Sequence, residues 1–200
     1  LLATDKIFFA RYGGDEFLIM LKNIVRLKEI DNKVKIITKK LKQPFKIKQN
    51  QLFIDFSVGI TRYPEDAENA NHLITCADTA MYQAKKNKNK NYLYYNNEMV
   101  EQIKRKKEIR NILKYALKND GFKLKYQPQV NIKTGVAECF EALIRLKDYN
   151  ISPGEFIPIA EEDGIIIEIG RWVTEKVIKK IALQKENDLA SKKISINFSV

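Results

Sequence analysis

A short acidic turn between two apolar runs constrains the fold of this chain more than any other feature. Residues 7–10 and 17–21 are apolar, and between them lies the run Gly13-Gly14-Asp15-Glu16. Apolar runs joined by such a turn predict a β-hairpin that presents two carboxylates. Glycine permits positive φ and lets backbone N–H groups approach a ligand, and carboxylates are hard ligands that Mg²⁺ takes alongside substrate phosphates. The turn is therefore a candidate metal and phosphate site, with an ordinary acidic hairpin as the alternative.

The heptapeptide around this turn resembles the signature of GGDEF domains, the diguanylate cyclases that condense two GTP molecules into cyclic di-GMP; its sequence is Arg11-Tyr12-Gly13-Gly14-Asp15-Glu16-Phe17. A later run, residues 77–85, resembles a second landmark of the same family. The resemblance implies that Asp15 and Glu16 are catalytic metal ligands and that Gly13 and Gly14 contact the substrate. It also implies that Lys85 reaches the nucleotide phosphates. A place in the solvated lysine run that follows explains Lys85 equally well.

A second motif has the sequence Phe140-Glu141-Ala142-Leu143-Ile144-Arg145. It resembles the signature of EAL domains, the phosphodiesterases that hydrolyse cyclic di-GMP and often follow GGDEF domains. The run Tyr126-Gln127-Pro128 upstream and residues 153–164 downstream occur in the order that this family shows. The resemblance implies that Glu141 is a catalytic ligand of a two-metal centre that holds Mg²⁺ or Mn²⁺. It further implies that Gln127 and Arg145 contact the substrate and that Asn197 is a metal ligand at the carboxyl end of a barrel strand.

The rest of the chain alternates amphipathic helices with apolar strands. Helical periodicity occupies residues 27–41, 73–84, 97–119 and 167–182, and strand patterns occupy residues 45–47, 55–61, 122–128 and 193–199. We expect Asn71 to cap the second helix and Glu101 to pair with Arg105 four residues later. The strand that starts at Phe122 is expected to end at Pro128.

Together with this periodicity, the two resemblances imply an α/β fold in two parts. The first is the C-terminal part of a GGDEF domain, a nucleotidyl-cyclase-like, ferredoxin-like α/β sandwich, over residues 1–96. A connecting helix over residues 97–119 leads to the N-terminal part of an EAL β/α barrel of the TIM type, over residues 120–200. Two interpretations of the helix are open: it transmits orientation or mediates a homodimer, or it packs on its own domain. The chain starts without methionine and stops inside a strand pattern, so we expect a fragment truncated at both ends.

Composition narrows the classes of partner and compartment. The net charge is +11, but the lysines are spread over every segment and no arginine–aromatic module appears, so we expect no nucleic-acid partner. No run approaches the roughly 20 apolar residues that span a bilayer. Cys76 and Cys139 lie far apart without metal-ligand spacing, which favours reduced thiols and a cytoplasmic location. Whether the whole protein has a membrane anchor upstream of Leu1 is left open by this sequence.

Three functions for the whole protein fit this sequence. The favoured one is a cyclic di-GMP phosphodiesterase whose GGDEF part binds GTP or also makes cyclic di-GMP. The alternatives are a net diguanylate cyclase and a catalytically inactive sensor or scaffold that binds these nucleotides. Leu146 stands where the EAL family commonly has tryptophan, which weakens the expected substrate affinity. Because further ligands are expected outside residues 1–200, the fragment by itself is expected to be inactive.

Overall fold

The computed structural model describes residues 7–24, 26–87, 89–184 and 193–198. The chain divides into two compact units, Leu1–Met99 and Val100–Val200, and each is described by itself. Both contain strands and helices, which confirms the α/β class. Among the described residues, no helix has the length and apolar character needed to cross a membrane.

The described residues of the first unit form three small two-stranded sheets and two helices. In chain order its elements are β1 (Ile7–Gly13), β2 (Glu16–Leu21), α1 (Leu27–Leu41), β3 (Phe45–Ile47), β4 (Asn50–Leu52), β5 (Val58–Ile60), α2 (Ala70–Lys86) and β6 (Tyr92–Tyr94). β1 pairs with β2 and β3 with β4, both antiparallel, whereas β5 and β6 are parallel. The predicted acidic hairpin and the helix that ends before Pro44 are both confirmed.

Close packing between β5 and α2 forms most of the buried part of the first unit. Cys76, Ala80 and Ala84 lie on the buried side of α2, and Ile60 of β5 is buried as well. At Gly59 the strand runs so near the helix that an added Cβ would lie 1.8 Å from the backbone oxygen of Ala77. Only glycine fits at this contact without moving a backbone, because a Cβ at that distance overlaps the carbonyl oxygen.

Two sequence expectations in this unit are wrong in detail. Residues 55–61 were expected to form one strand, but β5 covers only Val58–Ile60, and its partner is β6, which the pattern did not predict. The N-cap of α2 is Asn69 rather than Asn71: its side-chain oxygen accepts a hydrogen bond from the backbone N–H of His72 at 2.9 Å. Asn71 lies inside the helix, since α2 begins at Ala70 and Asn69 already satisfies a free N–H group of its first turn.

The second unit is a three-stranded sheet covered on one face by helices. Its elements are α3 (Asn97–Lys118), which starts just before the unit, β7 (Phe122–Val130), β8 (Ala137–Leu146), α4 (Pro153–Glu162), α5 (Ile166–Gln184) and β9 (Lys193–Ile196). The strand order is β7-β8-β9. β7 and β8 are antiparallel, and β8 and β9, which are joined through two helices, are parallel.

Alternation along the three strands separates an apolar face from a largely polar one. The side chains that join the helices in the core are Phe122, Leu124, Tyr126, Ala142, Ile144, Leu146, Ile194 and Ile196. Their partners in the core include Leu113 of α3 and Phe156 of α4, both fully buried. Since successive side chains of a strand point to opposite faces, the residues between them share the opposite face, which the helices leave open.

The helix over the predicted connector packs on the second unit. Ile109, Leu113 and Ala116 of α3 belong to its core, so of the two interpretations the structure supports the second. Ion pairs then join α3 to α4 and to the turn after it: Arg105 with Glu155, Lys106 with Glu162 and Arg110 with Asp163.

Two further expectations are corrected here. Glu101 pairs with Lys104 at 2.9 Å rather than with Arg105, whose guanidinium contacts Glu108 and Glu155 instead. β7 does not end at Pro128: this proline pairs in register with Phe140, and the strand continues to Val130. Proline is tolerated because β7 is an edge strand of the described sheet, where one side of the backbone makes no ladder hydrogen bonds.

Candidate functional site

The acidic turn in the first unit is exposed and is held by its own arginine. Arg11 donates from Nε and Nη2 to the backbone oxygen of Gly14 at 3.0 and 2.7 Å. Gly14 has a φ of 54°, in the left-handed region that favours glycine. The side chains of Asp15 and Glu16 are both exposed. Two carboxylates thus stand next to each other at an accessible turn, in reach of a ligand from solvent.

Lys85 lies near the end of α2 and is exposed. None of the hydrogen bonds or ion pairs reported for the described part of the first unit joins it to the acidic turn. Contact of Lys85 with the phosphates of a nucleotide at the turn therefore stays a prediction.

Three strands bring the predicted residues of the second unit together. Gln127 of β7 pairs in register with Glu141 of β8, and Glu141 pairs with Ser195 of β9. Their side chains form one polar row across the open face of the sheet. Asn197, just past the end of β9, donates from Nδ2 to the Oε1 of Glu141 at 2.7 Å, although 56 positions separate the two residues. Glu141 is half-buried and Asn197 is exposed, so the pair is accessible from the open face.

Arg145 lies on the same face, four residues beyond Glu141 toward the carboxyl end of β8. It is half-buried, and its Nη1 donates to the backbone oxygen of Ile144 at 2.7 Å. Within the described residues the guanidinium makes no other hydrogen bond, although arginine carries five N–H donors in a planar fork. A cavity of about 550 Å³ adjoins the carboxyl ends of β8 and β9, and both Arg145 and Asn197 line it.

The donor set of Glu141 and Asn197 fits a hard divalent cation. A carboxylate and an amide oxygen are the ligand types that Mg²⁺ and Mn²⁺ take, usually with water and substrate phosphates completing the shell. Among residues 7–24, 26–87, 89–184 and 193–198, no group of three or more histidine, cysteine or acidic side chains gathers to hold a metal. Any cation bound at Glu141 would therefore need ligands besides acidic side chains of the described residues, such as Asn197, water or substrate phosphates.

Sequence reasoning missed three members of the polar face. Ser195 completes the row of Gln127 and Glu141, and Lys125 and Lys123 precede Gln127 at two-residue steps on the same face of β7. The alternation of Phe122, Leu124 and Tyr126 carries the signal, because it assigns the residues between them to the opposite face. Behind this face, burial raises the pKa of the Tyr126 phenol, whose ring contacts the ammonium group of Lys180 at 5.0 Å.

Comparison with known families identifies the class of protein. Residues 3–91 match the family described as "Diguanylate cyclase, GGDEF domain", and residues 110–200 match the EAL domain. Together the two matches cover nearly all of the chain, in the order that the motifs indicated. The chain belongs to the proteins that carry a GGDEF domain followed by an EAL domain.

Individual relatives share this arrangement at moderate identity. The chain is 39% identical over 206 residues to the signaling protein YkoW of Bacillus subtilis, with 99% of this chain and 25% of YkoW covered. It is 32% identical over 200 residues to the bifunctional diguanylate cyclase/cyclic di-GMP phosphodiesterase MucR of Pseudomonas aeruginosa, with 98% of this chain and 29% of MucR covered. The chain therefore spans between a quarter and a third of the length of these relatives.

Among solved structures, the PaMucR phosphodiesterase in complex with c-di-GMP is similar. It is 33% identical, with a TM-score of 0.43, and the match covers 46% of this chain and 38% of the other.

Proposed function

We propose that the protein containing this chain turns over cyclic di-GMP and that its EAL half hydrolyses the phosphodiester. The observation that carries the proposal is the hydrogen bond from Asn197 to Glu141, which lies in one row with Gln127. Residues of three segments meet there, a carboxylate and two amides, on an accessible face. Membership in the GGDEF–EAL class, and the name of the relative MucR, support the same substrate.

The residues of the open face suit phosphodiester hydrolysis. Glu141 and Asn197 would hold a divalent cation, Mg²⁺ or Mn²⁺, which when bound supplies charge neutralisation and a water of lowered pKa. Hydrolysis forms a bond between the water oxygen and phosphorus while the phosphorus–ester oxygen bond breaks, and the leaving oxygen takes up a proton. Gln127 would orient the substrate by hydrogen bonds, and the guanidinium of Arg145 would offer its free donors to a phosphate.

The acidic turn supports a second activity in the first half. Asp15 and Glu16 would hold Mg²⁺ against the phosphates of GTP, and Gly13 and Gly14 would let the backbone approach them. Lys85 would add a positive charge. The exposure of both carboxylates favours a turn that remains able to bind nucleotide, so a net diguanylate cyclase is the second candidate.

Location and partners follow from the same proposal. GTP and cyclic di-GMP are the proposed ligands. Free cysteines at Cys76 and Cys139 are compatible with a reducing, cytoplasmic compartment. A homodimer is proposed for the cyclase reaction, because it joins two GTP molecules.

The test compares two isosteric substitutions in the full-length protein. Glu141→Gln is expected to lower the rate of cyclic di-GMP loss in Mg²⁺ or Mn²⁺ by about 100-fold or more, because a charged ligand of the reacting centre is lost. Asp15→Asn is the matched control, and hydrolysis should survive it. Production of cyclic di-GMP from GTP should be lost in Asp15→Asn and should survive in Glu141→Gln.

Three outcomes contradict the proposal. Wild-type protein that binds cyclic di-GMP without converting it would establish a sensor. Equal hydrolysis by wild type and Glu141→Gln would remove Glu141 from the reaction. Net synthesis by the wild type that Asp15→Asn abolishes, with no loss of cyclic di-GMP supplied in the absence of GTP, would establish the cyclase.

A further inference from the structure

We propose that Lys123 and Lys125 bind a phosphate of the cyclic dinucleotide, namely the one that does not react at Glu141. The inference rests on the proposed function, because it takes cyclic di-GMP as the ligand of the open face. It adds a binding subsite formed by β7, at the end of the sheet where β8 and β9 finish.

Strand register places the two lysines beside the candidate centre. Lys125 precedes Gln127 by two residues on β7 and pairs with Leu143, while Lys123 pairs with Arg145. Since a strand rises about 3.3 Å per residue, Lys125 lies about 7 Å along the strand from the row of Glu141. β7 is antiparallel to β8, so its first residues lie at the carboxyl end of β8, where Arg145 is.

Within the described residues, both ammonium groups are exposed and unpaired. Lys123 and Lys125 are exposed, and neither takes part in an ion pair or hydrogen bond reported for the described residues. By contrast, Lys106 and Lys147 in the same unit are each paired with a carboxylate. With Arg145, the two lysines give the open face three positive charges on one side of Glu141.

The substrate's chemistry explains why such a group is needed. Cyclic di-GMP carries two phosphodiester groups, each with a negative charge, and only one of them is hydrolysed at a time. A cation at Glu141 and Asn197 would neutralise the reacting phosphate. The other phosphate needs its own positive partner, and lysine serves as a compact point charge for this purpose. A field of this sign also favours the encounter with an anionic ligand.

The experiment uses the full-length protein with the double variant Lys123→Gln/Lys125→Gln. We expect its KM for cyclic di-GMP to rise about tenfold while kcat changes less than twofold, because the lysines bind the substrate away from the reacting atoms. Hydrolysis of bis(p-nitrophenyl) phosphate, which carries a single phosphodiester group, should keep its KM. Lys123→Arg/Lys125→Arg should restore most of the affinity for cyclic di-GMP.

The matched control is Lys193→Gln. Lys193 lies on the same face two residues before Ser195, which places it at equal spacing on the opposite side of the row of Glu141. An unchanged KM in the lysine double variant, or an equal rise in KM for Lys193→Gln, overturns the inference. An equal rise for bis(p-nitrophenyl) phosphate overturns it too, because the lysines would then act on the reacting phosphate.

Failure of the proposed function gives a different result. Wild type that binds cyclic di-GMP in calorimetry without hydrolysing it contradicts the function, yet a tenfold weaker dissociation constant in the double variant would still support the subsite. Wild type that neither binds nor hydrolyses cyclic di-GMP overturns both.

Discussion

The two candidate sites of this chain are built in opposite ways. The acidic turn consists of neighbouring residues in one hairpin, and Arg11 from the same hairpin holds it through the backbone oxygen of Gly14. The second site draws Gln127, Glu141 and Asn197 from three segments, and a hydrogen bond joins residues 56 positions apart. A local site needs only its hairpin, whereas a composite site exists only when the sheet has formed.

This difference has consequences for stability and for pH. A composite site should lose its function when its own unit unfolds and should be insensitive to damage in the other unit. Each unit also contains an ionisable contact with a shifted pKa, and the two contacts titrate at opposite ends of the pH scale. Substitutions that affect one unit at a time therefore test whether the two sites are independent.

Gly59→Ala should have the largest effect. The added Cβ would lie 1.8 Å from the backbone oxygen of Ala77 and 2.5 Å from the backbone nitrogen of Met81, so β5 and α2 must separate. We expect a loss of about 3 kcal/mol or more from the stability of the first unit. Thermal unfolding and limited proteolysis should show the first unit unfolding at lower temperature, while hydrolysis that depends on Glu141 persists.

The matched control for this substitution is Gly170→Ala. Gly170 lies inside α5, and an added Cβ meets nothing within 4 Å. Alanine should stabilise that helix by up to about 1 kcal/mol, because glycine loses more conformational freedom on folding. Loss of hydrolysis in Gly59→Ala at a temperature where the second unit remains folded would show that the two sites are coupled.

Tyr94→Phe should have an intermediate effect that depends on alkaline pH. The Tyr94 hydroxyl donates to Oδ1 of Asp31 at 2.9 Å, and burial together with this bond raises the pKa of Tyr94 to about 12 from an ordinary value of 10. Since the folded pKa is the higher one, the stabilisation is fully present below pH 10 and is lost as the pH rises toward 12. The variant should lose about 1 kcal/mol near neutral pH.

Urea unfolding of the first unit at a series of pH values from 8 to 12 measures this difference. The difference in the free energy of unfolding between wild type and Tyr94→Phe, here called the gap, should close as the pH rises. Tyr63→Phe, at an exposed tyrosine, should show no gap at any pH. A gap that stays constant to pH 12 would contradict the role of the hydroxyl proton.

Asp120→Asn should have the smallest effect on stability, and this effect should disappear at acid pH. Hydrogen bonds from Lys147 and then Lys176, at 2.7 and 3.0 Å, lower the pKa of Asp120 to about 2. A lowered folded pKa means that the stabilisation is present above the ordinary value near 4 and is lost as the pH falls toward 2. Asparagine tolerates the positive φ of 49° at this position, so only the charge is removed.

The melting temperature of the second unit should therefore drop slightly at pH 6 in Asp120→Asn and match wild type near pH 2. Asp148→Asn, at an exposed loop residue, provides the control. Because Asp120 is exposed, salt should reduce the difference. A larger drop in the variant near pH 2 than at pH 6 would refute the ion pairs as its cause.

Much of this molecule could be predicted wherever local patterns are strong. The hairpin, helix α1 and the alternation of β7 follow from periodicity and turn residues, and the two motifs pointed to the family that the comparisons confirm. The errors concern where a helix begins and where a strand ends. Asn69 rather than Asn71 caps α2, and β7 continues past Pro128 because an edge strand tolerates proline. The roles of all the predicted site residues stay predictions, namely those of Gly13, Gly14, Asp15, Glu16, Lys85, Gln127, Glu141, Arg145 and Asn197.

The amino-acid order by itself determined which residue types could serve and on which face of a strand each would lie, because the side-chain period of a strand is two. Only the tertiary structure decided which of these residues meet. The contact of Asn197 with Glu141 depends on the parallel register of β8 and β9, and that register depends on how the helices between them pack. Short-range propensity carries no information about such a register, since many long-range contacts select it together.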